Sequence, residues 1–318
     1  MKAAQITGYG DAPAVLRIND VDRPAPGPGE VLVAVEASSV NGLDTIVRAG
    51  GLRIVTGRRF PIGVGLDFAG VVAAAGADVR DHRVGDRVWG TVPPLKRRAV
   101  GPAAEYVLVG ADRIGPVPAG ISSAEAASLV VAGTTALTAL RDTLRFTSGE
   151  RLLVRGAAGG VGTAAVQLAH AMGGHVTALA RGRHAEALRA LGADEVFDYG
   201  VTAPDGIGPF DVILDTVGSG LHGYRRRLTR NGRMATIALS ASSVAAIAVS
   251  TVHGARRIRT LSSDPDAAVL RALAGHVASG GLRPVVDSVY PLADIAAAHQ
   301  AFERGGVVGK QVVTVSGT

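Results

Sequence analysis

The stretch "RLLVRGAAGGVGT", residues 151–163, decides the fold. An apolar run, Leu152 to Val154, leads into a patch in which Gly156, Gly159, Gly160 and Gly162 fill four of seven positions. The chain continues as "AAVQLAHAM" (164–172), which has helical periodicity. Strand, tight turn, helix is the order in which glycines matter: backbone N–H groups can face a phosphate, and the positive end of the helix adds to the attraction. The spacing is GxxGxxG, one residue off the common GxGxxG. Taken alone, it serves a phosphate cradle or a bare tight turn. No Gly-Lys-Ser/Thr follows, which excludes a P-loop and leaves a dinucleotide as the better ligand.

The next strand selects the dinucleotide. A site for NAD places Asp or Glu about 20 residues beyond the first glycine, to bond the ribose 2′-hydroxyl. Here "HVTALARGRH" (175–184) has Ala180 and Arg181 at that point, then Arg183 and His184. A carboxylate would repel a 2′-phosphate, whereas a guanidinium grips it with paired charge-assisted hydrogen bonds. The expected cofactor is NADPH.

Working outward, strands and helices alternate from 151 onward, with "EVFDY" (195–199), "DVILDTVG" (211–218), a helix near 219–230 and "GRMATIAL" (232–239). That alternation predicts an α/β domain, a doubly wound parallel sheet of Rossmann type. Residues 1–122 read differently, as short strands such as "EVLVAVEASSV" (30–40) and "AEYVLVG" (104–110) broken by glycine and proline, the texture of a small barrel. Ser122 and Glu125 form a capping-box signature for the helix that follows. The expected domains are 1–122, β-rich and catalytic; 123–263, dinucleotide-binding; and 264–318, returning to the first.

Composition narrows the chemistry. The 318 residues contain no cysteine, which excludes disulfides, thiolate nucleophiles and cysteine-held zinc. The eight histidines form no HxH or HExxH pattern, so no metal site is expected. Net charge is +6, and only Lys2, Lys96 and Lys310 among the 33 basic residues are lysine. The arginines are scattered and aromatics are 4%, which argues against a nucleic-acid partner. With no apolar run of membrane-spanning length and no apolar leader in "MKAAQITGYG", the expectation is a cytoplasmic protein without a membrane partner.

Beyond these patterns the chain resembles the zinc-independent quinone oxidoreductases and enoyl reductases of the medium-chain dehydrogenase/reductase superfamily. The motifs that carry the resemblance include "SSVNGLDTIVRAG" (38–50), "GLDFAGVV" (65–72), "VGDRVWG" (84–90), "AGTTAL" (132–137), "GAAGGVG" (156–162), "DTVG" (215–218) and "GLRPVVDSVYPLADIAAAHQAFERGGVVGK" (281–310), in the family's order. The resemblance implies a GroES-like β-rich catalytic domain with the Rossmann domain inserted, and a homodimer joined through an edge strand, here "RRIRTLSS" (256–263). It implies that Asn41 and Thr135 lie at the nicotinamide end and serve catalysis. Ala158, Gly159, Gly160 and Val161 would take the pyrophosphate, and Arg181, Arg183, His184 and Tyr199 the 2′-phosphate and adenosine. Thr216, Val217, Gly218, Ile237, Ala238 and Leu239 would flank the nicotinamide ribose and ring, with Lys310 at the cofactor or substrate mouth. Asp44 would order its loop.

One departure bears on mechanism. Many members carry tyrosine shortly after the Asn-containing motif, a proposed proton donor; here Ile46 and Leu52 stand in those places. The expected reaction is metal-free hydride transfer to a small apolar quinone or α,β-unsaturated carbonyl, with backbone N–H groups or Asn41 polarising the oxygen and water supplying the proton. A binding module that holds NADPH without turnover is the rival reading.

Overall fold

A computed structural model describes residues 1–93, 99–238, 241–252, 256–261 and 264–315. Two compact units emerge. The first comprises Met1–Val131, Asp264–Ala278 and Pro284–Thr318; the second comprises Ala132–Ser263 and Ser279–Arg283. The helix Ser123–Thr138 begins where the capping box places it. Ser122 N–H donates to Glu125 Oε2 at 2.8 Å, and Glu125 N–H returns a bond to Ser122 Oγ at 3.3 Å.

The first unit is built around one long strand, Glu30–Ser39, whose Val31, Val33 and Val35 alternate into a core with Phe68, Val88, Val107 and Ile114. On one side it pairs antiparallel with Asp67–Ala75. Its other edge is shared: Glu30 to Ala34 pair with Tyr106–Gly110, and Ala37 to Ser39 pair with Val312 to Thr314 of the chain's last strand, Lys310–Thr314. A ten-residue strand can host two partners end to end, and the second of them brings Lys310 back beside Asn41. Arg87–Thr91 and Ile114–Pro116 extend the sheet beyond Asp67–Ala75, and Val286–Pro291 runs parallel to the last strand.

Among the described residues the second unit holds six strands, all parallel. Their order is Glu195–Asp198, His175–Ala180, Arg151–Arg155, Phe210–Asp215, Leu228–Thr236, Ile258–Thr260. In chain order this is 3-2-1-4-5-6, the Rossmann arrangement, with its switch point between Arg151–Arg155 and Phe210–Asp215. These two strands are buried almost throughout, as a parallel sheet covered on both faces requires.

The structure corrects one element. The helix expected near 219–230 is only Leu221–Arg225, and the fifth strand starts at Leu228 rather than at Gly232. Gly223 weakens so short a helix, and Leu228 gains more by pairing with Phe210 at 3% exposure. Leu239 and Ser240 lie outside the described residues, and Ala241–Val252 is a helix.

Candidate active site

The first unit contains a buried polar cluster. Asn41 precedes the helix Gly42–Arg48, and its backbone N–H donates to Asp44 Oδ2 at 2.8 Å, so Asp44 does order the loop. The Asn41 side-chain nitrogen donates to Ser39 O at 3.2 Å and to Asp67 Oδ2 at 3.1 Å, while its Oδ1 accepts from Lys310 Nζ at 2.7 Å. Both amide hydrogens are thus committed. Asp67 is fully buried and also accepts from Ser39 N–H at 2.8 Å and from Ser39 Oγ at 2.8–2.9 Å. Lys310, 5% exposed, gives a further hydrogen bond to Val40 O at 2.5 Å. Lys310 therefore reaches inward to Asn41, with its ammonium fixing which way the amide points.

The second unit contains the glycine turn. Gly156 sits at φ +71°, and a Cβ there would lie 2.2 Å from Thr216 Oγ1. A Cβ on Gly162 would lie 2.3 Å from Gly156 O, so this glycine lets the helix Gly160–Ala171 start against the turn. At Gly159, φ is −71° and the nearest protein atom to an added Cβ is Gly156 O at 3.6 Å. Gly159 is exposed and Ala158, Gly160 and Val161 are half-buried, which leaves their backbone open on the outer side. Room left by protein atoms above a helix N-terminus suits a phosphate.

The other second-unit residues fall into two groups. Thr216 Oγ1 donates to Arg155 O at 2.9 Å, which ties the loop 216–218 to the glycine turn. Ala238 packs on Gly218, where an added Cβ would meet Ala238 Cβ at 2.8 Å, and Ile237 N–H donates to Asp215 O at 3.0 Å. Arg181 and Arg183 are exposed at the end of His175–Ala180, with the Arg181 guanidinium carbon 5.7 Å from the Tyr199 ring centre. His184 is buried, and Arg183 Nε lies 3.3 Å from its Nε2. Asp198 accepts from Gly182 N–H at 2.8 Å and Gly200 N–H at 2.7 Å, which shapes this loop; those bonds, and then the nearby Arg181, lower its pKa. Thr135 is 7% exposed within the helix Ser123–Thr138.

Asp67, Arg155, Asp198 and Asp215 were missed as site residues. For three of them the signal was a charge at the end of an otherwise apolar run, in "GLDFAGVV", "RLLVR" and "DVILD". A buried charge implies a partner, though not which one.

Comparison with known proteins places this geometry. Residues 27–119 match the model for the alcohol dehydrogenase GroES-like domain, and residues 191–313 match one described as zinc-binding dehydrogenase. The mitochondrial NAD(P)H oxidoreductase RTN4IP1 of Mus musculus is 31% identical, over 91% of this chain and 82% of its own length. The structure of the quinone oxidoreductase from Coxiella burnetii superposes with a TM-score of 0.91 at 30% identity, covering 99% of each chain. The chain belongs to the quinone oxidoreductases of the medium-chain dehydrogenase/reductase superfamily. The Escherichia coli quinone oxidoreductase, solved as a complex with NADPH, shares 25% identity and a TM-score of 0.86, over 99% of this chain and 100% of that one.

In this quinone oxidoreductase family member, two buried groups of the first unit titrate in opposite senses. Burial, with a smaller push from Asp67, raises Asp44 from 3.8 to about 7 against the hydrogen bond from Asn41. Burial, helped by the Arg48 charge, lowers His299 from 6.5 to about 4. Asp44 keeps a proton that the unfolded chain releases, so its contribution is whole below pH 3.8 and is lost as pH rises to about 7. His299 stays neutral while the unfolded chain protonates, so its contribution is whole above pH 6.5 and is lost as pH falls to about 4. Between pH 4 and 6.5 the two slopes cancel. His299→Leu is expected to unmask a fall in unfolding free energy with rising pH, at about 1.4 kcal/mol per pH unit, and Asp44→Asn the opposite slope. Denaturant titrations across that window check this; parallel curves for both variants would refute it.

Proposed function

We propose that the protein is an NADPH-dependent oxidoreductase that passes hydride to a quinone or an α,β-unsaturated carbonyl compound without a metal ion. The observation that carries the reading is the glycine turn at the sheet's switch point, with Arg181 and Arg183, not a carboxylate, ending the second strand. The NADPH complex of the Escherichia coli relative supports the same choice.

The residues divide the work by position. Ala158 to Val161 would take the pyrophosphate on backbone N–H groups, and Arg181 and Arg183 the 2′-phosphate, with Tyr199 beside the adenosine. NADPH supplies the hydride from C4 of its nicotinamide. Conjugation in the acceptor spreads the developing negative charge, which backbone N–H groups or water stabilise, since both Asn41 N–H groups already have acceptors. Water delivers the proton. Metal-free chemistry is supported by the absence of cysteine. Among the described residues no cluster of three or more His, Asp or Glu could hold a metal.

NADPH oxidation measured with a panel of soluble quinones and 2-enones tests the function. Turnover that persists after chelation is expected; cofactor binding without turnover across the panel would favour the binding-module reading, and loss on chelation would sink the metal-free one. Arg181→Ala is expected to raise the KM for NADPH about 10-fold while leaving NADH unchanged, since one charge-assisted contact is lost. An unchanged NADPH to NADH preference would remove Arg181 from the 2′-phosphate site.

We also propose a homodimer through the exposed edge of the second unit's sheet, Ile258–Thr260. Two of its three residues, Arg259 and Thr260, are exposed. Mass determination in solution distinguishes dimer from monomer.

A further inference from the structure

The switch point carries a buried charge that the phosphate-binding groups do not explain. Arg155 ends the first parallel strand with its side chain 7% exposed, and its guanidinium pairs with Asp215, its neighbour across the switch point. The guanidinium carbon lies 3.8 Å above the centre of the Tyr224 ring, and Nε has no partner. Burying an ion pair costs desolvation that its mutual attraction often fails to recover, so fold stability alone is a weak reason for one.

What the pair touches suggests a reason. A carboxylate only accepts hydrogen bonds, and Asp215 takes three kinds of donor at once. Beside the guanidinium these are Gly218 N–H at 2.8 Å and Thr236 Oγ1 at 2.7 Å. Thr236 Oγ1 in turn accepts from Ala238 N–H at 3.3 Å, and the Arg155 carbonyl takes Thr216 Oγ1 at 2.9 Å. These hydrogen bonds lead to 216–218 or to 236–238, and none of them reaches Ala158 to Val161. In a sheet of this order the 2′-hydroxyl or 2′-phosphate end of a dinucleotide lies over the second strand and its pyrophosphate at the first helix, so the other half lies over the fourth and fifth strands. Those strands end at Asp215 and Thr236.

We propose that Arg155 is a positioning residue for the nicotinamide half of the dinucleotide: held on the Tyr224 ring, it fixes the loops 216–218 and 236–238 through Asp215 before the cofactor arrives. This rests on the dinucleotide reading. The role predicts a split between the two halves of the ligand, which general loosening of the fold would not produce.

Binding of NADPH and of adenosine 2′,5′-bisphosphate, which carries only the adenosine end, is measured by calorimetry on the full chain. Arg155→Met is expected to weaken NADPH about 10-fold or more, as loss of preorganised geometry does, and to leave the bisphosphate unchanged. Arg181→Ala should weaken the bisphosphate. Tyr224→Leu keeps the ion pair and removes the ring, so it should show a smaller loss with the same split, while Tyr224→Phe should match the parent. If Arg155→Met does not fold, Tyr224→Leu carries the test. Equal weakening of both probes, or unchanged NADPH binding, overturns the role. A parent chain that binds neither probe overturns the dinucleotide reading itself, and this role with it.

Discussion

Gly159→Ala is expected to leave the unfolding free energy of the ligand-free protein unchanged and to weaken NADPH about 10- to 100-fold, whereas Gly162→Ala should cost about 3 kcal/mol of stability before any ligand is added. The two glycines lie three residues apart in one turn, but they meet different neighbours. A Cβ at 162 runs into Gly156 O at 2.3 Å and the Ala157 Cα at 2.6 Å, backbone atoms that can yield only if the helix Gly160–Ala171 lifts off the turn. A Cβ at 159 meets nothing closer than 3.6 Å, and φ −71° suits any residue. Its methyl would instead stand where a pyrophosphate approaches the backbone, displacing charge-assisted bonds worth about 1.5–3 kcal/mol. Thermal or denaturant unfolding without ligand, followed by titration with NADPH, separates the two. If Gly159→Ala binds NADPH like the parent, the turn is only a tight corner.

That contrast shows what could be read in advance. The glycine patch and the alternation after it identified a parallel sheet because local pattern and tertiary demand agree there: buried strands are continuously apolar, and the turn needs residues without side chains. The place of Arg181 and Arg183, exposed just past the second strand, was legible for the same reason, since it follows from the alternation. The helix expected near 219–230 stops at Arg225 because sheet pairing of Leu228 with Phe210 outweighs local helical character. The polar cluster around Asn41 was legible only in part. Its partners Asp67 and Lys310 are 26 and 269 residues away, and they meet only because Glu30–Ser39 pairs with Asp67–Ala75 on one side and the last strand on the other. A lone aspartate in "GLDFAGVV" announced a buried charge, but topology alone named its partners.

Lys310→Met is expected to lower the unfolding free energy by about 3–5 kcal/mol at neutral pH, a large share of the roughly 5–15 kcal/mol typical of folded domains. The methionine fills similar space but removes the charge that faces Asp67 and Asp44, and it leaves Asn41 Oδ1 and Val40 O without their donor. Asp67 is the more costly remainder: it is wholly buried, and its donors from Ser39 and Asn41 carry no positive charge. Adding Asp67→Asn removes that uncompensated charge while keeping an oxygen for Ser39. The double variant should therefore lose clearly less than the sum of the single losses, with a coupling of about 1–3 kcal/mol. Lys310→Arg should restore only part of the stability, because a planar fork cannot place its charge where the ammonium sits. Strict additivity of Lys310→Met and Asp67→Asn would mean that the two charges do not act on each other, and that the hydrogen bonds to Val40 and Asn41 carry the whole effect.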